Sequence, residues 1–266
     1  MKYSKRQGNG PSGVISVSQP ASCPSVNASA KTTETTGPNG SLFFLTCGIS
    51  DTDQYNGGWS PPTIRFDQLV VNADFSSVQA VSSSVFRPCA PFYDIFRNAS
   101  ADIGVPSVLL AAFAMQESRC NPYATGAGGS AGLLQLSPDK CTNSNCYDPW
   151  ANIYIGARYL KSLLDADPNI VQAVGNWNGW YKGMTFANVR SALDWNCYAQ
   201  QNLDYLQQYF NGWLQDIDAY GRLEDGGRLG FFFNLDECDS GGSSGSSRNT
   251  PIPWTVYLYG LLLFLL

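Results

Sequence analysis

The chain has 266 residues, a formal net charge of −5 and no histidine. Without an imidazole, Ser-His-Asp and Cys-His catalysis, histidine-bound zinc and histidine proton shuttles are excluded, so acid–base work falls to carboxylates, Tyr, Lys or Cys. Hydrophobic residues make up 44% of the chain, enough for one sizeable core, and only 14% are charged, so solubility rests on hydroxyls and amides, as suits an extracellular protein.

Residues 1–42 are rich in Ser, Thr, Gly, Pro and Asn, lack periodicity, and read as a disordered or glycosylated arm. The basic residues Lys2, Lys5 and Arg6 precede no apolar segment, so no signal peptide is visible, although Lys5-Arg6 has the form of a processing site. Residues 43–87, with SLFFLTCGIS, NGGWSPP and FDQLVV, predict an irregular segment of loops and a short strand pair packed on the main body.

From residue 88 to 238 the pattern is helical. Pro106 suits the first turn of a helix whose apolar stripe is Leu109, Leu110, Phe113 and Ala114. After a glycine-rich loop, TGAGGSAG, Asp148-Pro149 opens a second helix with the stripe Ile153, Ala157, Leu160 and Leu164, ending before Pro168. Further helices are expected over 168–177, 185–195 and 199–220.

Residues 239–266 form a Ser/Gly linker and an apolar tail, IPWTVYLYGLLLFLL. The run is short for a membrane span, which needs roughly 20 apolar residues. Small residues followed by a polar spacer and an apolar tail are the layout of a glycolipid-anchor signal, with attachment near Gly242, Ser243 or Ser244; a tail anchor is the competing reading. Eight cysteines, none in a C-x-x-C pair, and sequons at Asn27, Asn39 and Asn98 point to disulfides, glycosylation and an oxidising compartment. Cys141 and Cys146 are close enough to clip the loop between them.

The chemistry centres on Gln116-Glu117-Ser118. Four residues beyond Phe113, Glu117 falls on the buried face at a helix C-terminus. Desolvation and the negative end of the helix dipole both favour its neutral acid. A glycosidase acid needs that property, since it must hold a proton near working pH and deliver it to the glycosidic oxygen. The next acidic residues, Asp139 and Asp148, read as a loop residue and a helix N-cap, leaving a single carboxylate.

Over roughly residues 105–180 the chain resembles the transglycosylase SLT domain, the lytic transglycosylases of glycoside hydrolase family 23, relatives of goose-type lysozyme. The resemblance is carried by Glu117-Ser118, Asn121-Pro122, Gly132-Leu133-Leu134-Gln135, Asp148-Pro149, Asn152-Ile153, Gly156 and Tyr159-Leu160. It implies a mainly α, lysozyme-like fold, no cofactor or metal, and cleavage of β-1,4 bonds in peptidoglycan by Glu117 acting first as acid and then as base. In the family the substrate N-acetyl group assists, and attack by the C6 hydroxyl gives a 1,6-anhydro sugar; attack by water would make a lysozyme. Expected substrate contacts are Ser118, Gly132, Gln135, Trp177 and Asn178, with Trp180 and Tyr181 as further sugar-stacking candidates.

Two departures bear on activity. Trp177, in Gly175-Asn176-Trp177-Asn178-Gly179-Trp180, replaces a family tyrosine near the acid, and Gly126 stands where the family often has serine. The sequence pI near 4.7 weakens attraction to anionic walls at neutral pH, which keeps open an acidic medium or a neutral polymer such as chitin. A chitinase-like hydrolase and a non-catalytic glycan-binding surface protein are the alternatives. The remaining expectations are a monomer of eukaryotic, fungal type, extracellular or at the cell surface, with no nucleic-acid partner and membrane attachment only through the C-terminal tail.

Overall fold

The structure, a computed structural model, describes residues 13–19, 22–49, 57–142 and 144–241. The basic N-terminal residues, the expected attachment site at Gly242–Ser244 and the apolar tail lie outside them. The fold is mainly α. Among the described residues there is no strand, only isolated bridges joining Ala131 to Thr125 and Leu136, and no helix is long and apolar enough to cross a membrane.

The helices are α1 (Leu42–Leu45), α2 (Tyr93–Ile103), α3 (Ser107–Ser118), α4 (Pro149–Ala166), α5 (Ile170–Trp177), α6 (Phe186–Val189) and α7 (Tyr205–Asn211), linked by short 3-10 turns. Helix α3 follows Pro106 and is built from Leu and Ala, strong helix formers. Every residue from Leu109 to Ser118 is buried, so beyond its half-buried first two residues α3 has no solvent face, as befits a core helix. The one-sided stripe read from the sequence is therefore one part of a wholly enclosed surface. Around α3 pack α2, α4 and α7, while α5 bridges α4 and α7.

Asp148 caps α4 as expected, its carboxylate accepting from the Ala151 N–H at 2.8 Å. Asn169 caps α5 in the same way, accepting from the Val171 N–H at 3.2 Å. The expected helix 199–220 is instead broken at Gly212, where an added Cβ would lie 2.4 Å from the Gln208 carbonyl oxygen. What remains is the seven-residue α7 and a 3-10 turn, Trp213–Gln215. The expected helix 185–195 is likewise only α6 followed by turns.

Over its described residues, 13–19 and 22–42, the N-terminal arm is a correction to the expected disorder. Ile15 is buried in the main core, and the Cys23–Cys47 disulfide ties the segment to the residues after α1. The anchor is Asn39, fully buried. Its Nδ2 donates to the carbonyls of Val70 (2.9 Å) and Phe210 (2.8 Å), and its Oδ1 accepts from the Val70 N–H (2.9 Å). Of the three sequons, Asn27 and Asn98 are exposed, whereas Asn39 has no free amide to modify once the chain is folded.

Among the described residues of 43–87 the expected strand pair is absent, for a related reason. The N–H groups of Asn72 and Ala73 both bond to the Leu214 carbonyl, and Val70 bonds to Asn39, so no ladder forms between neighbours. Trp59 completes the joint: its ring rests against Gly175, and it exchanges main-chain bonds with Gly183 and Met184 at 2.8 Å. Four disulfides are formed, Cys23–Cys47, Cys89–Cys120, Cys141–Cys146 and Cys197–Cys238. They include the expected short clip.

Candidate active site

Glu117 is the penultimate residue of α3 and is only 4% exposed. Burial pushes its carboxyl up to about 8, against a smaller downward pull from the Tyr205 hydroxyl, which donates to Oε1 at 2.5 Å. At neutral pH the side chain is therefore a neutral acid. Tyr205 opens α7, and its own ionisation is pushed well up by burial and then by Glu117, so its hydroxyl stays protonated and acts as a donor.

Tyr205 is the residue that sequence reasoning missed. It lies 88 positions from Glu117 in a segment without a recognisable motif, and only the packing of α7 on α3 brings the two together. The hydroxyl thought lost at Trp177 is thus supplied from a different helix.

The end of α3 is fastened to the glycine-leucine turn. Ser118 Oγ donates to the Leu133 carbonyl at 2.7 Å, lies 3.2 Å from that of Ala114 and accepts from the Asn121 N–H at 3.1 Å. From α4, Asn152 accepts from the Leu134 N–H at 2.8 Å and donates to the carbonyls of Ala131 (2.9 Å) and Cys146 (2.8 Å). The Asp-Pro-x-x-Asn motif thereby positions the turn. Gly132 has a φ of +76°, and an added Cβ would lie 2.2 Å from the Cys146 carbonyl oxygen. Close chain packing accounts for this glycine without a substrate. Gln135, with φ +45°, donates Nε2 to the carbonyls of Ala124 (2.9 Å) and Gly132 (2.8 Å).

The tryptophans are a correction to the expected sugar platforms. Trp177 is 6% exposed, stacks on Phe113 with ring centroids 4.2 Å apart, and meets Tyr159 at 5.3 Å. Trp180 is 2% exposed and meets Trp59 edge to face at 5.1 Å. Both spend their faces on the core beneath and beside α3. Tyr181 is exposed. Asn178, the residue ending α5, is buried, and its Nδ2 has no hydrogen-bond partner among the described residues.

Asp139, Asp148 and Asp204 are committed elsewhere. Asp148 caps α4, and Asp139 is held low chiefly by the Ser137 hydroxyl, with Lys140 adding to the effect. Asp204 is buried and accepts three main-chain N–H bonds, from Phe231 (2.7 Å), Phe232 (3.1 Å) and Phe233 (2.7 Å).

Residues 94–182 match the family model described as Transglycosylase SLT domain. The chain is 36% identical over 91 residues to a transglycosylase of Enterobacteria phage PRD1, covering 33% of this chain and 34% of the relative. It is 35% identical over 102 residues to membrane-bound lytic murein transglycosylase F 1 of Alkalilimnicola ehrlichii, covering 37% of this chain and 21% of that one. The chain thus spans about a third and a fifth of these relatives. Among solved structures it has a slight likeness to a 70-kDa soluble lytic transglycosylase in complex with bulgecin A, with a TM-score of 0.35, 22% identity, and coverage of 50% of this chain and 24% of that one. The likeness to the 70-kDa enzyme of Escherichia coli has a TM-score of 0.29 at 22% identity, with coverage of 48% and 26%. The matched region, residues 94–182, is similar to the transglycosylase SLT domain and contains Glu117, the turn to which Ser118 is fastened and the Asn152 anchor.

Proposed function

We propose that this chain cleaves β-1,4 glycosidic bonds of peptidoglycan with Glu117 as its one acid–base group. The observation that carries the reading is a neutral, buried carboxyl bonded to a single hydroxyl, at the Glu-Ser position of an SLT domain. The names of the two relatives, a transglycosylase and a lytic murein transglycosylase, support the substrate class.

In the first half-reaction Glu117 gives its proton to the departing glycosidic oxygen as the C1–O bond breaks. The substrate N-acetyl oxygen bonds C1 in its place. The Glu117 carboxylate, now charged and held by Tyr205, then takes the proton of the C6 hydroxyl as that oxygen closes on C1 and breaks the C1 bond to the N-acetyl oxygen, restoring the acetamide, and a 1,6-anhydro sugar leaves. A water in place of the C6 hydroxyl gives hydrolysis with the same proton book-keeping. With Asp139, Asp148 and Asp204 engaged elsewhere, no second carboxylate is available among them for the usual two-carboxylate scheme. Asn178 Nδ2 is the donor we assign to a substrate oxygen, and Gln135 stays a candidate contact from the 132–135 turn.

Four disulfides support an extracellular or cell-surface location, and Asn27 and Asn98 are the positions open to glycosylation. The formal charge of −5 favours a second reading, cleavage of neutral chitin. Purified protein incubated with peptidoglycan or with chitin, and assayed for anhydro and reducing ends, tests the scheme. Anhydro muropeptides from wild type and none from Glu117→Gln are expected. Equal release by both proteins would refute the role of Glu117, and chito-oligomers alone would move the substrate to chitin.

A further inference from the structure

A seven-residue helix is too short to hold itself in water, yet α7 must present the Tyr205 hydroxyl to Glu117 at hydrogen-bond distance. One turn further along α7, Gln208 Oε1 accepts from Gln116 Nε2 at 2.9 Å, and Gln116 is the residue beside Glu117 in α3. The same oxygen accepts from Asn202 Nδ2 at 3.0 Å. Gln116 Oε1 in turn accepts from Trp213 Nε1 at 2.6 Å. Helices α3 and α7 are thus joined at the acid by two adjacent bridges, 116 to 208 and 117 to 205, and further along by the Tyr209 hydroxyl, which donates to the Leu109 carbonyl at 2.9 Å. The amide bridge is buried and its orientation is set at both ends, because each carboxamide oxygen receives an N–H.

We infer that Gln208, through Gln116, is a positioning residue that sets the register of α7 on α3 so that Tyr205 stays on Glu117 Oε1. This deepens the reading of Glu117 as the acid and rests on it. Removing the amide bridge leaves both reacting groups in place but lets α7 shift. The Tyr205 bond, which favours the charged carboxylate, then weakens.

The titratable groups around this pair are few. Tyr209 and Tyr220 face Tyr205, Asp204 precedes it, and Arg119 is paired with Asp218 at 3.3 Å. Burial and the Tyr205 bond account for the shift at Glu117, with no ionised side chain of α2 or α4 contributing.

The test is a carboxyl ¹³C NMR titration of Glu117 in the full chain, which needs no activity. Gln208→Met and Gln116→Met should each raise the Glu117 midpoint, by about one unit for complete loss of the bond. The double variant should move it no further than either single one, and neither substitution should move it in a Tyr205→Phe background. A wild-type midpoint in folded Gln208→Met overturns the inference, as does a shift that persists without the Tyr205 hydroxyl. If the methionine variants do not fold, Asn202→Ala, which withdraws one donor from Gln208, is expected to give a smaller shift of the same sign; no shift there overturns it as well. Parallel cleavage assays keep the two readings apart. A responsive Glu117 in a wild-type protein that cleaves neither polymer refutes the proposed function and leaves the register device standing.

Discussion

Two buried carboxylates in this molecule differ in the hydrogen bonds they accept. Glu117 accepts one hydrogen bond, from a hydroxyl, and burial pushes it up to about 8. Asp204 accepts three from main-chain N–H groups, and the upward push of its burial is opposed by those bonds, leaving it at about 6. Asp204 ties the 231–233 loop to the start of α7. Burial alone does not set how far a carboxyl is raised. What matters is how many fixed donors the site gives the anion, because each one favours the charged form and spends a lone pair.

The sharpest way to break this contrast is to neutralise each carboxylate in turn. Glu117→Gln should lower the rate of muropeptide release by roughly 10³-fold, within the range general acid catalysis supplies, measured by chromatography of digests. Asp204→Asn should leave the basic limb of the pH–rate profile in place. A profile that moves with Asp204 would make it part of the acid system.

The next largest effect is on stability against pH. Both carboxyls are raised in the folded protein, so each contributes stability that is fully present below its unfolded value and lost as pH rises through its folded value. For Asp204 the window runs from 3.8 to about 6, and for Glu117 from 4.5 to about 8. At pH 7, ionisation in the unfolded chain should leave the wild type less stable than Glu117→Gln by on the order of 3 kcal/mol, a difference that vanishes near pH 4. Urea denaturation at the two pH values measures it. Equal pH slopes in wild type and variant would show that the Glu117 carboxyl is not raised.

Smaller effects sharpen the structural half of the comparison. Asp204→Ala leaves three main-chain N–H groups without their acceptor and should cost about 2 kcal/mol or more at pH 5, seen as a lower urea midpoint. Ser118→Ala removes the link to the Leu133 carbonyl and should cost about 1 kcal/mol. If Ser118 instead binds substrate, the variant will raise KM with stability unchanged.

Much of the site was legible in advance because its parts are close together in sequence. Glu117 follows an apolar run by helical spacing, and Asp148 and Pro149 carry a helix start on their faces. The spacing from Glu117 through Asn152 to Tyr159 was enough to identify the domain, even though several of these residues act as packing devices. Gly156, for example, lets Leu134 and Trp177 approach α4. The roles of Trp177 and Trp180 were not legible: an aromatic ring on a core face and one on a sugar platform look the same in a linear pattern. The arm failed for another reason. Asn39 is held by bonds to Val70 and Phe210, and polar anchors of that kind leave no period to read.

By itself, the sequence determined the absence of imidazole chemistry, the mainly helical class and the burial of the Glu117 carboxyl at a helix end, because composition, helical periodicity and local motifs act within a few turns of chain. Only the tertiary structure decided what surrounds that acid. Tyr205, Gln208 and Asp204 reach α3 and the 231–233 loop across long stretches of sequence. Their hydrogen bonds depend on how a short helix is seated, a matter of packing and donor geometry that spacing along the chain does not encode.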